Sequence, residues 1–161
     1  MNLSPYAIWA PLDGPIAHLP LTDPAAPASA TDVARFAARV EALGYSALWI
    51  PEGFGRNPLV LASWLLANTT TLKIATGIAN IYARDAMAAA SAQRGLAEQS
   101  GGRFLLGLGV SHKPMVTGLR GHDYGKPVAT MRAYLEAMAA APYMAAAPAE
   151  PPPTIIAALG P

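Results

Sequence analysis

The 161-residue sequence predicts an α/β chain built on a parallel sheet. Three observations carry this reading. Five short apolar runs (Tyr6–Pro11, Ala47–Ile50, Leu72–Ile78, Phe104–Val110 and Thr154–Leu159) do not alternate apolar with polar residues. Continuous apolar runs are what strands covered on both faces require. Segments of helical periodicity fall between the runs, so the order is β-α-β-α-β-α-β-α-β, which calls for right-handed crossovers between parallel strands. Periodicity alone leaves an open doubly wound sheet and a barrel both available.

Each helix carries its own start and stop signals. Thr31 reads as an N-cap with Asp32 in the first turn. Val33, Phe36, Ala37, Val40 and Leu43 then repeat at helical spacing until Gly44 offers a stop. Asn57-Pro58 is an N-cap followed by a first-turn proline, opening a helix through Leu61 and Leu65. Asp85 can cap a third helix, which Gly101-Gly102 ends. Pro127 opens a fourth, with Val128, Met131, Leu135 and Met138 on one face. Two stretches rich in Pro and Ala, Gly14 to Ala30 and Ala145 to Pro153, are irregular, and neither needs a domain boundary. Residues 1–161 therefore read as a single domain. The pattern stops at Gly160-Pro161, just after a strand, with no helix to cover it. That predicts an exposed apolar edge and a chain that is weakly stable or self-associating, a homo-oligomer through the open edge.

Composition narrows the function classes. The chain is 53% apolar and 13% charged, with a formal net charge of +1. No Lys/Arg run is present, so neither nucleic acid nor an anionic membrane is called for as a partner. The absence of cysteine excludes disulfides, thiolate catalysis and Cys-based zinc sites, and fits a cytoplasmic protein. No apolar stretch approaches the roughly 20 residues that span a bilayer. Met1 to Pro11 has no Lys or Arg ahead of its apolar stretch and does not read as a signal peptide.

The candidate site residues cluster at strand ends. Gly107-Leu108-Gly109 fails the dinucleotide fingerprint, because the sixth position is His112 and Lys113-Pro114 follows. Its glycines let a ring or another backbone approach the strand. Gly109-Val110-Ser111-His112-Lys113 falls one glycine short of a nucleophile elbow, which keeps a small-molecule hydrolase using Ser111 as one reading. His18, His112 and His122 do not pair at metal-ligand spacing. His112 and Glu52 both follow the C-terminal end of a strand, where parallel α/β folds hold their active sites. Arg84 and Asp85 follow the third strand, and Asp85 reads as a helix cap.

Taken together, the strand-end segments resemble the luciferase-like monooxygenase superfamily, in its branch of deazaflavin (coenzyme F-420)-dependent oxidoreductases. The resemblance rests on Ala42 to Glu52, on Ala75-Thr76-Gly77-Ile78-Ala79-Asn80, and on Gly102 to His112. Gly121-His122-Asp123-Tyr124 with Lys126-Pro127 and Met131-Arg132-Ala133-Tyr134 adds to it, as does the last strand ending Ala157-Ala158-Leu159-Gly160-Pro161. The resemblance implies a partial TIM-type (β/α)8 barrel, about four and a half βα units with parallel strands in the order 1-2-3-4-5. The chain would be the N-terminal part of that barrel, ending after the fifth strand. It implies Glu52, Gly77, Ile78, Gly107, Gly109 and Ser111 at the cofactor and His112 as the proton donor. In relatives a histidine often follows the acid, and here Gly53 stands in its place. Gly77-Ile78 matches the family's bulge with a non-proline cis peptide. The implied activity is hydride transfer between reduced coenzyme F-420, or FMN as the alternative, and a small organic substrate. A non-catalytic half-barrel that must associate to complete its fold is the rival reading.

Overall fold

The computed structural model describes residues 6–14 and 26–158. In chain order its elements are β1 (Ala7–Trp9), α1 (Ala30–Ala42), β2 (Ala47–Ile50), α2 (Pro58–Ala67), β3 (Lys73–Thr76), β4 (Ala79–Asn80) and α3 (Ala86–Gln99). There follow β5 (Phe104–Gly109), a π-helical turn (Pro114–Leu119), α4 (Pro127–Ala140) and β6 (Thr154–Ile156). The π-helical turn has no counterpart in the sequence reading. His18 and most of the loop from Gly14 to Ala30 lie outside the described residues.

Every strand pairing is parallel. Trp9 lies opposite Trp49, Ile50 opposite Thr76, Ile74 opposite Phe104, and Leu106 opposite Thr154. β3 and β4 share the same edge of β5. Ala75 faces Leu105 and Ala79 faces Leu108, so four residues on one strand run against three on the other. That is a one-residue bulge, and β3 and β4 are the two halves of the strand expected at Leu72–Ile78. With the halves joined, the strands stand in sequence order, as barrel-type winding requires.

The sheet has two unlike faces because successive side chains alternate. Leu48, Ile50, Ile74, Phe104, Leu106 and Leu108 point to one side and pack, fully buried, with Val33 and Ala37 of α1, Leu65 of α2 and Ala89 of α3. Trp9, Trp49, Ala75 and Leu105 stand in register on the other. β5 is buried along its whole length, as its unbroken apolar run requires, whereas both β1 and β6 expose their outer residues. These are the open ends of the sheet.

Local chemistry sets the helix ends, with one correction. Asn57 caps α2 and Asp85 caps α3, as their residue types dictate. α1 is capped by Ser29 rather than Thr31. The Asp32 amide donates to Ser29 Oγ at 3.2 Å, and the Ser29 amide donates to Asp32 Oδ2 at 3.0 Å. This is a reciprocal capping box, open only to the residue three places before Asp32. On α4, Met131 and Met138 are buried, but Val128 is exposed. It sits in the first turn, 75% exposed.

Long-range polar ties fasten the layers. Gln93, buried on α3, donates to the Pro153 carbonyl at 3.0 Å and reaches Thr154 Oγ1 at 2.9 Å, holding β6 against β5. Arg103 donates to the Leu66 and Leu72 carbonyls at 2.8 and 3.0 Å. Glu41 accepts from the Thr70, Thr71 and Leu72 amides, fixing the turn into β3. Burial alone would raise the pKa of Glu41, but those amides and the Thr71 hydroxyl lower it from 4.5 to about 2. A carboxylate depressed in this way stabilises the fold fully above its unfolded value near 4.5 and loses that contribution as pH falls toward 2. Glu41→Gln is therefore expected to cost on the order of 1 kcal/mol at pH 7, after allowance for solvent screening. The difference should vanish near pH 2. Urea unfolding of both chains across that range checks it, and a gap independent of pH would refute it.

Candidate functional site

The bulge between β3 and β4 is the centre of the candidate site. It carries a cis peptide bond between Gly77 and Ile78, the position that the resemblance implies. Both residues are half-buried, where the strand residues on either side of them are buried. Rungs from β2 hold the bulge in place. The Gly77 amide donates to the Ile50 carbonyl at 2.7 Å, and the Glu52 amide donates to the Ile78 carbonyl at 3.2 Å. From β1, the Trp9 indole donates to the Gly77 carbonyl at 2.9 Å. Trp9 itself is 56% exposed, so its ring and the half-buried Gly77–Ile78 segment bonded to it both present apolar surface to solvent.

β5 accommodates the bulge through its glycines and one hydroxyl. Thr76 is fully buried, and its hydroxyl accepts from the Gly107 amide and donates to the Gly107 carbonyl, each at 2.8 Å. It replaces the backbone rung that the bulge removes, so neither buried peptide group is left unpaired. A Cβ on Gly107 would stand 1.9 Å from the Thr76 carbonyl oxygen, and one on Gly109 would stand 2.6 Å from Ile78 Cγ1. These glycines therefore admit the bulged strand and the Ile78 side chain. Of the two roles open to strand glycines, close approach of another part of this chain is the one in view.

Glu52 lies where the sequence puts it, just past β2, but its carboxylate faces inward. Oε2 accepts from the Asn80 amide at 2.6 Å, and Oε1 pairs with Arg84 Nη2. Both side chains are only 9% exposed. Arg84 also donates from Nη1 to the Asn80 carbonyl at 3.2 Å. The Tyr134 hydroxyl is shared between the Arg84 and Asp85 carbonyls at 3.1 and 3.2 Å, and burial pushes it up to about 12, so it stays a donor.

Ser111 and His112 follow β5. Ser111 has a φ of 57°, and its carbonyl accepts from the Tyr124 hydroxyl at 3.1 Å. Tyr124 stacks on Tyr82 at 5.8 Å and donor–acceptor contact runs from the Tyr82 hydroxyl to the Tyr124 carbonyl. His122 stacks on Tyr82 from 6.5 Å. His112 is exposed, and its carbonyl accepts from Val116 where the π-helical turn begins. Among the described residues no hydrogen bond joins the His112 ring to Glu52 or to the bulge. The structure thus joins Glu52, Gly77, Ile78, Gly107 and Gly109 by direct contacts, and places Ser111 and His112 at the adjoining rim.

Trp9, Thr76, Asn80 and Tyr82 were missed by sequence reasoning as site residues. Thr76 and Asn80 had one available signal: Thr76 is an uncharged polar residue inside the run Leu72–Ile78 and Asn80 follows it two residues on, and a buried polar side chain needs a partner.

Parallel strands in sequence order, helices on one side and a bulged third strand at the C-terminal rim define a barrel-type α/β sheet with a candidate site at its strand ends. The chain belongs to the luciferase-like monooxygenase family, whose model matches residues 15–161. A Mycobacterium tuberculosis protein named as a coenzyme F-420-dependent oxidoreductase is 32% identical over 103 residues, 64% of this chain and 30% of that protein. An F-420-dependent secondary alcohol dehydrogenase, solved with an F-420–acetone adduct, superposes with a TM-score of 0.75 at 13% identity, covering 97% of this chain and 52% of its own. The oxygenating constituent of the 3,6-diketocamphane monooxygenase of Pseudomonas putida, solved with FMN, gives 0.57 at 21% identity, covering 65% and 32%. At these identities the structures bear on the fold alone, and the partial TIM-type barrel expected from the sequence stands. The chain spans about a third of the length of the curated relatives it matches (30% and 32%). Among the described residues no helix is long and apolar enough to cross a membrane.

Proposed function

We propose that this chain supplies one side of a deazaflavin (coenzyme F-420) pocket in an oxidoreductase acting on a small organic substrate. The observation that carries this is the half-exposed Gly77–Ile78 bulge beside the exposed Trp9 ring. It is an apolar, uncharged surface at the C-terminal rim of a parallel sheet, where a planar ring system could lie. Relatives named for the same cofactor support the reading, and FMN is the alternative ring. When bound, the deazaflavin would carry the hydride. Ile78 would back the ring, Ser111 and the glycine-rich end of β5 would border it, and His112 would give or take the substrate proton, a role open to an imidazole near neutral pH.

Spectroscopic titration with coenzyme F-420 and with FMN tests the pocket. Saturable binding of the first, weaker binding of the second, is the expected result. Binding of neither would favour the half-barrel as an association module, and a mass that doubles with concentration would support that outcome. In a completed barrel, His112→Ala is expected to lower kcat about 100-fold while changing cofactor affinity less than about 3-fold. Unchanged kcat would remove the proton-donor role.

A further inference from the structure

We infer that Glu52 and Arg84 form a positioning clamp that sets the bulged wall, and that neither is a direct ligand of the ring; this deepens the proposed deazaflavin site and rests on it. Three successive rungs join the end of β2 to the bulge. The first two are backbone bonds, Gly77 to Ile50 and Glu52 to Ile78. The third is made by a side chain, because the Glu52 carboxylate takes the Asn80 amide at 2.6 Å where β2 has run out of carbonyls. Arg84, from the turn after β4, closes the loop by pairing with Glu52 and donating to the Asn80 carbonyl. Asn80 is thus gripped at its amide and its carbonyl by an ion pair that is itself almost wholly buried. The wall that would meet a ring, Gly77–Ile78, lies between the backbone rungs and this clamp.

The chemistry explains why both members are charged. A single carboxylate oxygen must accept from an amide while its twin neutralises a buried cation, and the guanidinium fork must reach two acceptors at once. Glutamine at position 52 would aim an NH2 group at Arg84 or at the Asn80 amide. Lysine at position 84 would reach only one of its two partners.

Amide hydrogen exchange on the ligand-free chain and deazaflavin titration, run on Glu52→Gln, Arg84→Lys and the double variant, separate the possibilities. Exchange at Asn80 and Ile81 should quicken about tenfold or more in both single variants, with Phe104 to Leu108 unchanged. Deazaflavin affinity should fall about tenfold in each, and the double variant should fall no further than the worse single. Loss of affinity in Glu52→Gln but not in Arg84→Lys would make Glu52 a direct ligand and overturn the clamp. So would lowered melting temperature in both with affinity intact. If the parent chain binds no deazaflavin, the proposed pocket fails, and the exchange rates alone decide the clamp: unaltered protection at Asn80 overturns it.

Discussion

Gly107→Ala is expected to destabilise the chain by more than about 3 kcal/mol, enough to leave little folded protein at 25 °C. The added Cβ would stand 1.9 Å from the Thr76 carbonyl oxygen and 3.1 Å from its carbon. Both are backbone atoms, so no side-chain rotation relieves the overlap. β3 cannot retreat freely, because the Thr76 hydroxyl is bonded to both polar groups of Gly107. Moving away would break these bonds and strand a buried amide and a buried carbonyl, at about 1–3 kcal/mol each. Gly53→Ala is the comparison, since nothing lies within 4 Å of a Cβ there, and it should stay within about 0.5 kcal/mol of the parent. Denaturant unfolding followed by circular dichroism measures both. Equal midpoints for the two variants would show that the sheet can open at Gly107 at little cost.

Arg84→Met should cost about 3–5 kcal/mol, because it leaves the Glu52 carboxylate buried beside an apolar chain. At roughly 2–4 °C per kcal/mol for a domain of this size, the melting temperature should drop by about 6–20 °C. Adding Glu52→Gln to the same chain removes the stranded charge. The double variant should therefore lose less than the sum of the two single losses. Strict additivity would mean that the two side chains act independently, against their shared grip on Asn80.

The elements that were legible in the sequence are those whose causes are local. Asn57 and Asp85 start helices by accepting bonds from amides two or three places further on. The apolar run of β5 is buried at every position, which the run itself demands. The cap of α1 was legible in kind but not in place: Thr31 offers the same side-chain chemistry two residues on, and only the spacing of Ser29 and Asp32 singles out Ser29. The candidate site was legible in position but not in bonding. Glu52 sits at the expected strand end, yet its partner Arg84 lies 32 residues away, and neither residue's spacing announces the other.

The sequence by itself determined the βα alternation, the parallel winding and which strand ends gather into one rim. These follow from periodicity, cap chemistry and the handedness of crossovers, all of which act within one βα unit. Only the tertiary structure decided that the third strand breaks into β3 and β4, that Thr76 stands in for the lost rung, and that the glycines of β5 make room for this chain's own bulge. A one-residue slip between Ala75 and Ala79 is invisible along one strand. It exists only relative to the neighbour, because register is a property of two strands and of the buried polar groups they must satisfy between them.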